Sequence, residues 1–169
     1  ERRRGTLTRL AAAPVHRFSI LLGKSLACYS ACLLTASLLV VVAVLGFKVR
    51  VGSATGLALC LLSVSWCFAA ITSFLGALGR SEQGVAAAGW LTLLAMTFFG
   101  GALVPLTAMP QWIVTVSDAS PIKWAIFALE GAIWRGLTPH EVLAPCAVLL
   151  GVGLVGFALG ADRLSKLED

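Results

Sequence analysis

Four long stretches of this sequence carry no charged residue. They lie between Lys24 and Lys48, Arg50 and Arg80, Glu82 and Asp118, and Glu141 and Asp162, and they are 23, 29, 35 and 20 residues long. A helix needs about 20 apolar residues to cross a hydrocarbon core of about 30 Å. Each stretch is therefore long enough for one transmembrane helix.

The composition excludes two other classes of protein. Apolar residues make up 59% of the chain and charged residues 12%, with a mean hydropathy of +0.93. Soluble domains are about 45–50% apolar and about 25% charged, and disordered chains are more polar still. We therefore predict an all-α, polytopic transmembrane helix bundle that forms a single domain.

Charges and prolines divide the chain into predicted segments, with Pro105 splitting the longest uncharged stretch. We predict a cytoplasmic helix at residues 1–16, spans at 18–47, 54–78, 84–104 and 140–161, short outer re-entrant or interfacial helices at 105–138, and a cytoplasmic tail at 162–169. The sequence opens without an initiator Met, so we also expect it to be a fragment that lacks upstream spans.

Lysine and arginine are unevenly distributed among the predicted connections. Nine lie before Lys48, at Arg80 or after Ala161, whereas the two opposite connections hold four. Because cytoplasmic loops carry the excess of Lys and Arg, both ends of the segment are predicted to be cytoplasmic. An even number of spans requires the same arrangement.

The segment between Pro105 and Pro139 contains three tryptophans and several helix signals. Ser120-Pro121 is typical of an N-cap followed by the first helical residue, and Gly136 of a helix end. Thr138 and Glu141 form a capping-box pattern that opens the last span. Because tryptophan prefers the headgroup level, short helices in or dipping into the outer interface are predicted.

The residues give no pattern of a catalytic or metal site. The glycines of 151–156 match the dinucleotide-binding fingerprint, but they lie within an uncharged helix with no preceding strand, so close helix packing is the better interpretation. The five cysteines form no CxxC pair, and the two histidines lie far apart. We expect no catalytic residue, no metal and no cofactor in this chain.

The spans contain no Asp, Glu, His or Arg away from their ends. Ion-coupled transporters keep such groups at membrane depth. Any transport by this segment would therefore draw its energy from another subunit or from an upstream part of the chain.

Three stretches resemble the membrane subunit of type-two ATP-binding-cassette exporters. They are Glu1-Arg2-Arg3-Arg4-Gly5-Thr6-Leu7-Thr8-Arg9-Leu10 with Pro14 and Gly23-Lys24, then Gly100-Gly101-Ala102-Leu103-Val104-Pro105-Leu106 with Met109-Pro110 and Trp112, then Ser120-Pro121 with Trp124, Ala128-Leu129 and Arg135-Gly136. The resemblance implies a six-span permease subunit, of which spans three to six are present here.

The resemblance also implies partners and roles. It implies an ATP-binding-cassette ATPase that uses ATP and Mg, a second permease copy and membrane lipids as partners, and no nucleic acid. It also implies a location in a bacterial inner membrane. ATPase coupling is implied for Glu1, Gly5, Thr6, Leu7, Arg9, Leu10 and Pro14. Outer-gate roles are implied for Pro105, Pro110, Trp112, Pro121, Trp124 and Glu130. From periodicity alone, residues 1–13 would equally suit a basic patch that holds anionic lipid.

The resemblance places the fifth span of the subunit in the wall of the substrate path. Here that span is 84–104, which carries Trp90, Thr92, Met96 and Phe99. Thr92, Met96 and Phe99 share one helix face, and a thioether beside an aromatic ring suits a bulky amphipathic guest such as a drug, lipid or glycan. Ordinary lipid-facing or interhelical packing is the alternative for this face.

Two other functions remain open at the level of sequence. A non-transporting membrane scaffold that assembles partners would have the same span pattern. Part of a secondary transporter would need an intramembrane carboxylate in the upstream part of the protein.

The charge distribution makes a testable prediction about topology. On a background without native cysteines, a cysteine at position 130 should react with an impermeant thiol reagent added outside, because Lys123 and Arg135 are predicted to face outward. A cysteine at position 9 is the control and should react only after the membrane is opened. Labelling of position 130 from the cytoplasmic side alone would contradict the topology.

Overall fold

The structure is a computed structural model, and it describes residues 17–78, 81–104 and 108–165. The regular elements in these ranges are all helices. They are α1 (Arg17–Phe47), α2 (Ala54–Leu78), α3 (Glu82–Phe99), α4 (Gln111–Ser117), α5 (Pro121–Ile133) and α6 (Pro139–Ser165). The predicted all-α class is confirmed.

Three of these helices are long and apolar enough to cross a membrane. The qualifying segments are Leu22–Phe47, Ala54–Leu78 and His140–Arg163, whereas Gln83–Phe99 in α3 is a shorter apolar helix. The protein is therefore an integral membrane protein. The end of the bundle where residues 48–53 and 134–138 connect the helices is called the predicted outer end below.

Helix α3 ends at Phe99 rather than at the predicted Val104. The Gly100 N–H closes the helix by donating to the Met96 carbonyl at 2.7 Å, and Gly101 has a φ of 80°, which favours glycine. A Cβ on Gly100 would also lie 2.7 Å from Ile122 Cβ, so α5 approaches closely at this point. The apolar sequence continues to Val104, which is why the hydropathy pattern extends past the backbone turn.

Helix α2 is the central element, and α6 packs on it through a row of glycines. The close contacts pair Gly153 with Cys67, Gly156 with Ala70, and Gly160 with Phe74. Small residues let two helix backbones approach closely, which drives association where there is no hydrophobic effect between helices. The structure thus supports helix packing, and not nucleotide binding, as the role of the glycine-rich sequence.

Helix α1 packs on α2 and α6 through aromatic rings and a hydrogen bond between two serines. The Trp66 ring on α2 lies between Tyr29 of α1, with centroids 6.2 Å apart, and Phe157 of α6, at 6.1 Å. Nearer the other end of α2, the buried Ser25 hydroxyl donates to Ser73 Oγ at 3.2 Å. Most of the remaining surface of α1 is exposed apolar side chain.

The glycine contacts predict a position-specific loss of stability. Gly153→Val should destabilise the bundle by about 1–3 kcal/mol, because overpacking forces neighbours to move and a Cβ there would lie 2.5 Å from the Trp66 ring and 3.2 Å from Cys67 Cα. Gly151→Val is the matched control, since a Cβ at Gly151 meets nothing within 4 Å. Unfolding in detergent should separate the two variants. Equal loss in both would contradict the packing role.

Candidate functional site

Helix α5 lies against α2 along a face of small residues. Ala128 and Ala132 are fully buried. The Cys60 thiol donates to the Ala128 carbonyl at 3.3 Å, and the Ser53 N–H donates to the Ala132 carbonyl at 3.1 Å. The end of α5 is thus fixed beside the beginning of α2, at the predicted outer end.

The other half of α5 lies beside the middle of the long helices. Ala125 packs in one cluster with Cys67, Ile71 and Leu149. Cys67 and Leu149 lie 13 and 10 residues beyond the first residues of their helices, Ala54 and Pro139. At 1.5 Å per residue, these two residues lie about 15–20 Å along α2 and α6, and Ala125 lies about 10 Å along α5 from Ala132, whose carbonyl accepts from Ser53 at the predicted outer end. Helix α5 therefore runs along the bundle rather than across its end.

The start of α5 confirms one part of a prediction and corrects another. Ser120 is the N-cap and Pro121 the first helical residue, as the sequence indicates. The Ser120 hydroxyl makes no capping bond, however; it donates to the Met96 carbonyl at 2.9 Å. Ser120 is buried against α3, so its hydroxyl joins two helices instead of closing one.

A compact polar cluster joins the first turn of α5 to the residues just before it. Lys123 Nζ donates to Asp118 Oδ1 at 2.6 Å and to Ser117 Oγ at 2.9 Å, and Trp124 Nε1 donates to the Asp118 carbonyl at 2.9 Å. The Asp118 side chain is 61% exposed and that of Lys123 is 23% exposed. The family resemblance implied an outer-gate role for Trp124, and no sequence pattern predicted a contact between Asp118 and Lys123.

A second ion pair lies at the opposite end of α5. Arg135 donates to the Glu130 carboxylate at 3.2 Å, and its guanidinium lies 5.2 Å from the centre of the Phe127 ring. Gly136 then adopts a φ of 59°, and the Leu137 N–H donates to the Gly131 carbonyl at 3.0 Å. The predicted stop at Gly136 is confirmed as the left-handed residue that follows this helix.

Only one of the two hydrogen bonds of the predicted capping box forms at the start of α6. The Glu141 carboxylate accepts from the Thr138 N–H at 2.8 Å, which is the backward bond that the pattern predicts. The Thr138 hydroxyl also donates to that carboxylate at 2.9 Å, whereas the Glu141 N–H donates to the Thr138 carbonyl. The threonine side chain thus holds the glutamate instead of capping the backbone.

The structure describes some of the remaining predicted gate and coupling residues but not others. Pro110 is the N-cap of α4, and Trp112 is 63% exposed on that helix. Pro105 lies outside the described residues. So do the coupling residues Glu1, Gly5, Thr6, Leu7, Arg9, Leu10 and Pro14. The roles of all these residues stay predictions.

The predicted substrate-path residues do not share one environment. Trp90 is 76% exposed on α3, whereas Thr92, Met96 and Phe99 are half-buried. Met96 packs against the cluster of Cys67 and Ala125, which is the interhelical packing that the sequence left as an alternative. The Phe99 ring lies edge-on to Phe98 with centroids 5.5 Å apart. A substrate role for this face stays a prediction.

An apolar cleft of about 400 Å³ lies elsewhere, between α1 and α2. Its lining comes from the middle of both helices: Ala31, Cys32, Thr35, Ala36, Leu39, Val64, Ser65 and Phe68. Ser65 Oγ is buried there without a hydrogen-bond partner among the described residues. Sequence periodicity did not reveal this cleft, since its small side chains are spread over two helices.

The sequence from the first residue through α5 is similar to a known protein family. A family model described as "ABC-2 type transporter" matches residues 1–134, from the basic segment through α5. This chain belongs to that membrane family. The family consists of transport subunits that work in general with an ATP-binding-cassette partner, so the predicted family is confirmed.

A curated relative belongs to the same class of permease. The chain is 27% identical over 85 residues to the linearmycin resistance permease protein LnrN of Bacillus subtilis. The aligned stretch covers 50% of this chain and 22% of that protein. No solved structure matches the chain.

The bond between α3 and α5 gives a prediction for this ABC-2 subunit. Ser120→Ala should lower stability by about 0.5–1.5 kcal/mol, the usual net value of one hydrogen bond, because it removes the side-chain bond to Met96. Ser30→Ala is the control, since the Ser30 hydroxyl bonds only within α1, to the Ala27 carbonyl. Thermal unfolding should show the larger loss for Ser120→Ala; equal losses would contradict the joining role.

Proposed function

We propose that this chain is the permease part of an ATP-driven exporter, powered by a separate ATPase subunit. The observation that carries the proposal is the family match over residues 1–134, because it includes the basic segment before α1 as well as α3 and α5. In this proposal the ATPase binds ATP and Mg, and this chain supplies no catalytic group. Export runs outward through a bacterial inner membrane, with both ends of the segment cytoplasmic.

The proposed cargo is amphipathic or lipid-like. The relative named as a linearmycin resistance permease supports removal of a compound from the cell. On the side of α3 away from the bundle, Trp90 and Leu91 are 76% and 73% exposed, which offers an apolar surface. A second permease copy facing this helix would complete a path between the two copies, with lipids around it.

The proposed coupling site is the segment 1–16, which precedes α1. Gly5 and Thr6 would permit close approach to the ATPase, Leu7 and Leu10 would supply apolar contact, and Glu1 and Arg9 would form the polar rim. Because the segment carries four arginines, it suits the cytoplasmic side. Movement of the ATPase would reach the bundle through Pro14 and α1.

The coupling assignment predicts a loss of function without a loss of folding. Gly5→Trp and Leu10→Asp should abolish stimulation of ATP hydrolysis by the permease, because one fills the contact and the other places an unpaired charge in it. The measurements are ATP hydrolysis by the reconstituted full-length permease with its ATPase, and co-purification of the two.

Leu10→Met is the matched control, since it conserves volume and apolarity. It should couple normally, and all three variants should elute from size-exclusion chromatography like the parent protein. Normal coupling by both Gly5→Trp and Leu10→Asp would overturn the coupling site. Binding of the ATPase without any stimulation by the parent protein would instead support a scaffold.

A further inference from the structure

The two ion pairs of α5 cannot both lie at the membrane surface. The helix has 13 residues, a length of about 20 Å. The Glu130–Arg135 pair follows the end that Ser53 fixes at the predicted outer end. The Asp118–Lys123 pair is at the other end, next to Ser120, which is bonded to Met96 of α3. This second pair therefore lies deep beside the bundle.

The depth of the Asp118–Lys123 pair in the membrane follows from neighbouring residues on α2, α3 and α6. Met96, whose carbonyl receives the Ser120 hydroxyl, packs on the cluster of Cys67 and Leu149. These residues lie near the middle of α2 and α6, so the pair faces the hydrocarbon region of a membrane that α2 and α6 cross. Ionised groups at such a depth are costly and normally face water, protein or cargo.

The exposure of Asp118 determines what can face it. Lys123 is largely covered and uses two of its three donors on Asp118 and Ser117. Asp118 uses Oδ1 for Lys123, and its side chain is 61% exposed. A carboxylate with this exposure cannot face lipid tails, because nothing there replaces its hydration.

We propose that the Asp118–Lys123 pair is the polar end of a wet recess that opens toward the predicted outer end, and that it binds the head group of the amphipathic cargo. The pair is net neutral and offers an acceptor beside a donor. A net-neutral, hydroxyl-bearing head group can use both, whereas a net charge gains no Coulomb attraction to offset its desolvation. The cargo part of this inference rests on the proposed function.

The first experiment tests the recess. In the full-length permease in nanodiscs, with native cysteines replaced, Ala119→Cys is labelled with charged methanethiosulfonate reagents. Ala119 is exposed and adjoins the pair, which stays intact in this variant. The control is Leu34→Cys, 70% exposed near the middle of α1. Ala119→Cys should react several-fold faster; equal rates would mean that lipid, another helix or a second copy covers the pair, and would overturn the recess.

The second experiment tests the head-group class with three soluble amphiphiles of equal tail length. Hexyl glucoside should slow the labelling of Ala119→Cys several-fold more than hexyl sulfate or hexyl trimethylammonium. Adding Asp118→Asn, or separately Lys123→Gln, should remove this difference. Equal protection by all three amphiphiles, or protection that both variants leave unchanged, would overturn the binding site.

Neither experiment uses ATP or an ATPase. A negative result here is therefore distinguishable from failure of the exporter proposal, which is tested by whether the parent protein stimulates ATP hydrolysis. Failure of coupling with a preserved glucoside effect would leave a polar amphiphile site in a membrane protein that is not driven by an ATPase.

Discussion

Close backbone packing on α2 is the interaction on which the rest of this structure depends. The glycines of α6 meet α2 at Cys67, Ala70 and Phe74, and the alanines of α5 pack on α2 near Cys60, together with Val142 and Cys146 of α6. In a membrane, apolar side chains gain nothing by leaving lipid for protein, so small residues that bring backbones together supply the attraction. Because α5 is fixed this way, its start lies deep in the bundle, where Ser120 can bond to Met96.

This packing gives the segment between α3 and α6 its functional interest. Helix α3 ends at Phe99, before it reaches the predicted outer end, and α5 runs from beside Met96 to that end. The result is a set of polar groups around Asp118 at a depth where a continuous helix would carry only apolar side chains. A transport subunit needs such a change from apolar to polar surface wherever the head of an amphipathic cargo must pass.

The sequence predicted the helices much better than their arrangement. Long uncharged stretches indicated the three long apolar helices α1, α2 and α6, because a helix needs about 20 apolar residues to cross the hydrocarbon core. The N-cap at Ser120 and the left-handed Gly136 followed from local backbone preferences. The depth of α5 could not be predicted from the sequence, because the hydropathy of its alanines does not differ from that of residues that face lipid. From the sequence, Asp118 and Lys123 were therefore predicted to be ordinary charges of an outer loop. Only the contacts of Ala125 in the structure show that they lie deeper.

The depth of α5 in the membrane, beside α2, can be measured directly. A nitroxide at Ile126, near the middle of α5, reports depth through the ratio of its collision rates with oxygen and with a water-soluble nickel chelate. A second label at Trp134, 75% exposed beyond the helix end, marks the predicted outer surface. A helix at this depth should show high oxygen access and low nickel access at Ile126, and the reverse at Trp134. Equal headgroup-level values at both positions would contradict it.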